Sequence, residues 1–167
     1  MARYSATWSA ITAAAVADTT AFTAGQAPGF LRAGAATQQL KINEVYIGGE
    51  SSASNPTSFI LARDSTISVG ALSVGGNALL DFTATAPGTT ASFGSTAATT
   101  FPQRGTAAAG AYLLQPSMNA YGGIARWQAR YGEEITVYGN TATGGEVSLS
   151  AKTGTGQTSG HIIYELV

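Results

Sequence analysis

The chain has no cysteine, one histidine, and charge on only 10% of its 167 residues. Without cysteine there is no disulfide framework and no thiolate zinc site. With His161 alone, a Ser–His–Asp triad has one place for its base, and no Gly-x-Ser-x-Gly elbow lies near it in sequence. No Gly-Lys dipeptide opens a phosphate loop, and no Asp-x-Asp run opens a calcium loop. No apolar stretch reaches the roughly 18 residues of a membrane span. No segment sustains a helical period, and no solenoid or propeller repeat is present. The eight Lys and Arg residues are scattered from Arg3 to Lys152 and the net charge is −1, so there is no basic stripe to attract nucleic acid.

What fills the chain instead is small side chains. Ala, Gly, Ser and Thr make up 89 of the 167 residues. Such residues suit closely spaced strands and flat interfaces, and they suit proton transfer and metal binding poorly. Leu, Ile, Val and Phe number 32, with 15 aromatics spread along the chain, so one domain with a thin core that leans on its rings is expected. A net charge near zero gives little repulsion between copies, which favours a protein that sits in an assembly. The stretch from Trp8 to Ala17 resembles the apolar part of a secretion signal, but Ser and Thr interrupt it and only Arg3 precedes it, so a signal peptide is not expected.

Period-two alternation gives the strands. Tyr4, Ala6, Trp8 and Ala10 alternate with Ser5, Thr7 and Ser9. Residues 12–37, rich in Ala, Thr and Gly with a turn at Ala27-Pro28-Gly29, read as a loop or arm. Between Gln39 and Gly49 the apolar face switches near Glu44 and Val45, as at a bulge. Further extended segments are expected at Ser58–Arg63, Thr66–Leu72 and Leu79–Phe82. Residues 84–109 read as a long loop with Phe93 and Phe101 as anchors. Five strands follow, at Ala111–Asn119, Ile124–Arg130, Glu134–Tyr138, Glu146–Lys152 and His161–Val167, separated by glycine turns including Gly154 to Gly160. The expected fold is all-β: an antiparallel β-sandwich or jelly roll, with an N-terminal strand and arm over 1–37 and the sandwich over 38–167.

Few residues invite a chemical role. Glu133 and Glu134 are adjacent carboxylates, but neighbouring strand residues face opposite ways and cannot jointly flank a glycosidic bond. His161 reads as a half-exposed strand histidine. Trp127 should face inward, since Arg126 and Gln128 alternate with it. Tyr121, Trp127, Tyr131 and Tyr138 could instead form a stacking platform for sugars, a weaker reading on rings alone. Arg126 and Arg130 either face solvent or pair with acids of a neighbouring subunit.

The order of several segments resembles that in jelly-roll capsid decoration, or cement, proteins of tailed bacteriophages. The similar stretches are Lys41-Ile42-Asn43-Glu44-Val45-Tyr46-Ile47-Gly48-Gly49 and Asn55-Pro56 leading into Phe59-Ile60-Leu61-Ala62-Arg63. Later come Ile124-Ala125-Arg126-Trp127-Gln128-Ala129 with Gly132-Glu133-Glu134-Ile135, and a closing Gly160-His161-Ile162-Ile163-Tyr164-Glu165. The resemblance covers roughly residues 38–167. It implies a non-enzymatic virion subunit, made in the host cytoplasm, that binds the major capsid protein on the outside of an icosahedral shell. It implies no catalytic residue, metal or cofactor, no nucleic acid or membrane partner, and assembly as a homotrimer. Candidate subunit or capsid contacts are Leu113, Leu114, Ile162 and Ile163, where apolar residues fall on both sides of a strand, together with Arg126 and Arg130. The alternatives are another phage jelly roll (minor capsid, tail or fibre protein) and a carbohydrate-binding module that takes glycans.

Overall fold

The computed structural model describes residues 3–12, 29–33, 35–64, 78–80, 83, 90–93, 107–139, 145–153 and 156–167. They form strands and connections, with no helix among them. The strands are β1 (Arg3–Thr12), β2 (Gly29–Arg32), β3 (Gln39–Gly49), β4 (Pro56–Asp64), β5 (Ala78–Leu79) and β6 (Thr90–Phe93). They continue with β7 (Ala107–Leu114), β8 (Ser117–Asn119), β9 (Ile124–Gln128), β10 (Ile135–Tyr138), β11 (Glu146–Thr153) and β12 (Gln157–Leu166). Two six-stranded sheets result. The first has the order β10-β3-β12-β1-β5, with β9 also on β3. The second has the order β6-β2-β11-β4-β7, with β8 also on β4. Every pairing is antiparallel.

The alternation in β1 does what its pattern dictates. Tyr4, Ala6 and Trp8 turn inward and are buried, while Thr7 is exposed. They meet Leu40, Ile42, Val45, Ile47, Ile162 and Tyr164 of the first sheet and Leu31, Phe59, Leu61, Val147 and Leu149 of the second in one core. Tyr4 stacks on Tyr164, with ring centroids 5.5 Å apart. Full burial of each large apolar side chain contributes about 1.5–3 kcal/mol, and the rings carry much of it in so small-residued a chain.

The bulge in β3 is present. Ile163 pairs with Glu44 and Tyr164 with Ile42, so Asn43 has no opposite number on β12. Leu40 and Ile42 before it, and Val45 and Ile47 after it, all reach the core, whereas Glu44 is turned to the outer face. The partner edge breaks at the same level. β9 and β10 both run along β3, and residues 129–134 leave the line between them, with Ala129 N donating to Asn43 O at 2.8 Å. The second sheet has a matching break in its edge, where Gln115 and Pro116 separate β7 from β8. Pro116 has no N–H to give, and its carbonyl accepts from Phe59 N at 2.8 Å.

Three expectations change. The span read as a loop or arm contains a strand: β2 pairs inside the second sheet, because Phe30 to Arg32 supply a pairing edge that the Ala-rich flanks conceal, while β1 pairs inside the first sheet and residues 13–28 lie outside the described residues. Gly160 is in strand β12 and not in a turn. A Cβ there would collide with the Tyr46 carbonyl and the Trp8 ring, so the glycine makes room for Trp8. Within 84–109 the chain forms β6, which ends on Phe93, and the start of β7; Phe101 and the segment Thr66–Leu72 lie outside the described residues.

The two outer faces differ. On the second sheet Ile60, Ala62, Glu146, Ser148 and Ser150 are as buried as the core, and Glu146 sits 3.7 Å from Arg32 of the neighbouring strand. The outer face of the first sheet is more polar and less buried: Arg3, Thr7, Arg126 and Gln128 are exposed, and Lys41, Asn43, Tyr46 and His161 are partly so. At one end the sheets are tied together: Ala120 N donates to Asn55 O at 2.9 Å, and Ser51 N to Ala120 O at 2.9 Å. The Asn119 side chain accepts from Asn55 N at 2.9 Å and from Tyr121 N at 3.0 Å. Gly49 and Gly156 leave no space for a Cβ beside Ala120, so the turn closes down on both.

Candidate functional site

The outer face of the first sheet gathers the polar chemistry at the β3 bulge. The bulge turns Glu44 outward between β9 and β12, and register sets Gln128 and Ile163 opposite it. The Glu44 carboxylate is only 8% exposed with its residue, and it accepts three hydrogen bonds. Arg126 donates Nε–H to Oε1 at 3.1 Å and Nη2–H to Oε2 at 2.9 Å, a two-pronged pair; His161 Nε2 lies 3.1 Å from Oε1. The Tyr46 ring stacks on the His161 ring at 5.2 Å and 11° between planes. The Arg126 guanidinium holds the Glu44 carboxyl below its ordinary value, and His161 adds to this against the opposing effect of burial. Glu44 raises Arg126 in turn. With both oxygens occupied by a guanidinium, the carboxylate acts as an ionic hub that clips β3 to β9 and β12.

Beside the hub the residues of the break form a second feature. Asn43 Nδ2 donates to Glu165 Oε1 at 2.9 Å. Glu133 N donates to Arg130 O at 2.9 Å, and Gly132 has φ of 85°. A hydrogen-bonded four-residue turn with a left-handed third residue is the type II pattern, which favours glycine there. The Glu134 carboxylate accepts from Gly132 N at 3.0 Å, and that bond lowers its pKa. The turn holds Tyr131 fully exposed above a groove of about 500 Å³.

A third feature is a cleft of about 460 Å³ between the two sheets at the β9 side of the sandwich. Val45, Ile47 and Trp127 line it from one sheet and Leu61, Leu114 and Leu149 from the other. Trp127 faces inward and packs on the core, but it stays half-buried because the cleft is open beside it. Ile124, which also lines the cleft, is 65% exposed, and Tyr121, in the turn between β8 and β9, is 62% exposed.

The residues singled out from sequence are dispersed. Leu113 and Leu114 are partly buried and pack on the core. Ile162 is fully buried in the core, where it cannot meet a second subunit; Ile163 faces the other way and is half-exposed. Arg126 pairs with Glu44 of its own chain while its side chain stays 55% exposed. Arg130 is exposed in the turn, outside the strand. Glu133 and Glu134 precede β10 instead of lying in it. His161 is a half-exposed strand residue, as its surroundings in sequence imply. Sequence reading missed Glu44 as a hub: outward Glu44 and Tyr46 after a face switch were the signal, but their partners lie 82 and more residues away. Among the described residues no group of three or more His, Asp or Glu is placed to hold a metal ion, and no helix is long and apolar enough to cross a membrane.

No family model, curated protein or solved structure matches the chain.

Proposed function

We propose that the chain is a non-enzymatic virion subunit, a jelly-roll decoration protein that binds the outside of an icosahedral phage shell and stabilises it. The observation that carries this reading is the open cleft edge. Ile124 stands exposed in the cleft beside half-buried Leu114 and Trp127, while Glu44, Arg126 and His161 are joined within the chain. An apolar rim over a shallow cleft, on a protein with little net charge, suits packing against another protein. Binding to the assembled lattice and not to free capsid subunits stabilises the lattice by mass action. Three copies joined as a trimer add their contacts through avidity. The resemblance of its segment order to that of cement proteins is the sequence ground for the same reading.

The test is direct. Purified particles should contain the chain in stoichiometric amounts. Particles stripped of it should burst at lower temperature, and adding it back should restore them. Equal burst temperatures for stripped and decorated particles would refute the cement role.

A further inference from the structure

The groove under Tyr131 is a separate feature, on the outer face of the first sheet and away from the cleft edge. Four charged side chains line it: Arg3 and Lys41 against Glu134 and Glu165. Their formal charges cancel, so the groove offers no net attraction to a phosphate or sulfate polymer. Two amides line it: exposed Gln128 adds donors and an acceptor, and Asn43, whose amide nitrogen already donates to Glu165, adds its carbonyl oxygen as an acceptor. Above them stands the Tyr131 ring, fully exposed, on a turn fixed by the Arg130–Glu133 hydrogen bond, by Gly132 in the left-handed region and by the Glu134 carboxylate on Gly132 N. The Asn43–Glu165 bond fixes the floor. The backbone of the turn that carries Tyr131 is therefore held before any ligand arrives, which lowers part of the ordering penalty of binding.

A flat ring beside amides and balanced charges matches one ligand chemistry. A pyranose ring presents axial C–H groups to an aromatic face and hydroxyls, each donor and acceptor, at its edge. We propose that this groove binds an uncharged saccharide, with Tyr131 as the stacking platform and Gln128 and Asn43 among the hydroxyl partners. Trp127, inward and half-buried, takes no part. The inference does not depend on a virion role, since it concerns the soluble protein alone.

The experiment is affinity electrophoresis of the purified full chain through gels containing dextran, mannan, galactan or heparin. At least one neutral polysaccharide should retard the protein, and heparin should not retard it more strongly. Tyr131→Ala should weaken that retardation about tenfold or more, as expected for loss of a central aromatic contact. Gln128→Ala should weaken it several-fold. Both side chains are solvent-exposed, so an unchanged melting temperature checks that each variant is folded. Tyr138→Ala, an exposed ring on β10 outside the groove, should bind as wild type. No retardation by any of the neutral polymers overturns the proposal. So does retardation by heparin alone, or retardation that Tyr131→Ala leaves intact. None of these results bears on particle stability, so the two readings fail independently.

Discussion

Adjacent residues in β12 have opposite fates, and that is testable. Ile162 is buried in the core and Ile163 is half-exposed on the outer face. Ile162→Ala should destabilise by about 2–5 kcal/mol through lost transfer energy and an unfilled cavity. Ile163→Ala should cost well under half as much; equal losses in urea melts would contradict the assigned faces. Gly160→Ala belongs to the same strand and fails for the opposite reason. Its added methyl meets the Tyr46 carbonyl and Trp8, and a backbone atom cannot step aside as a flexible side chain can. A loss of about 2 kcal/mol or more is expected, in the range for overpacked sites. Glu44 brings a pH dependence. Its pKa in the folded chain lies below its ordinary value of 4.5, so ionised Glu44 stabilises the fold above that value, and the contribution is lost as pH falls through the lower folded value. The advantage of wild type over Glu44→Gln should therefore be full near about pH 7 and shrink towards about pH 3. An advantage that grows on acidification would reverse the assignment.

At the scale of strands, interior and edge should separate in hydrogen exchange. β12 is flanked by β1 and β3, and β11 by β2 and β4, whereas β9 and β8 lie on edges. Amides of β11 and β12 should be the most protected and those of β9 among the least, because local opening needs fewer broken bonds at an edge. Trp127 is an edge residue that still reaches the core, so Trp127→Ala should cost about 2 kcal/mol, less than a wholly buried ring. The strands were largely legible in sequence because period two survives in them: Tyr4-Ala6-Trp8 and Val147-Leu149 needed no other information. The β3 bulge was legible too, as a break in that period. What could not be read was association across the sheet. Asn43 and Glu44 show a defect in phase, but nothing local says that Arg126, His161 and Glu165 arrive there. Glycine misled at Gly160 because the residue serves close approach and not a turn, and the two uses have the same letter. β2 was hidden for a related reason: its four residues sit in an Ala/Gly/Thr background too uniform to show a period.

For the whole molecule, the open cleft edge should govern association. Native mass spectrometry should find a trimer, and Ile124→Asp should shift it towards monomer without lowering its melting temperature, since Ile124 is already exposed. A wild-type chain that stays monomeric at micromolar concentration would confine any trimer to the shell. The first and last strands of the described fold set a limit of another kind. Arg3 lies opposite Glu165, and β1 and β12 run antiparallel from there. A force drawing these two residues apart meets the backbone bonds one at a time and peels the ladder open like a zipper. The same ladder loaded along its length would have to shear all of them together. Loaded through Arg3 and Glu165, this ladder should therefore part at lower force than when sheared along its length, so a chain that holds a pressurised shell closed would bear tension better through its strand edges.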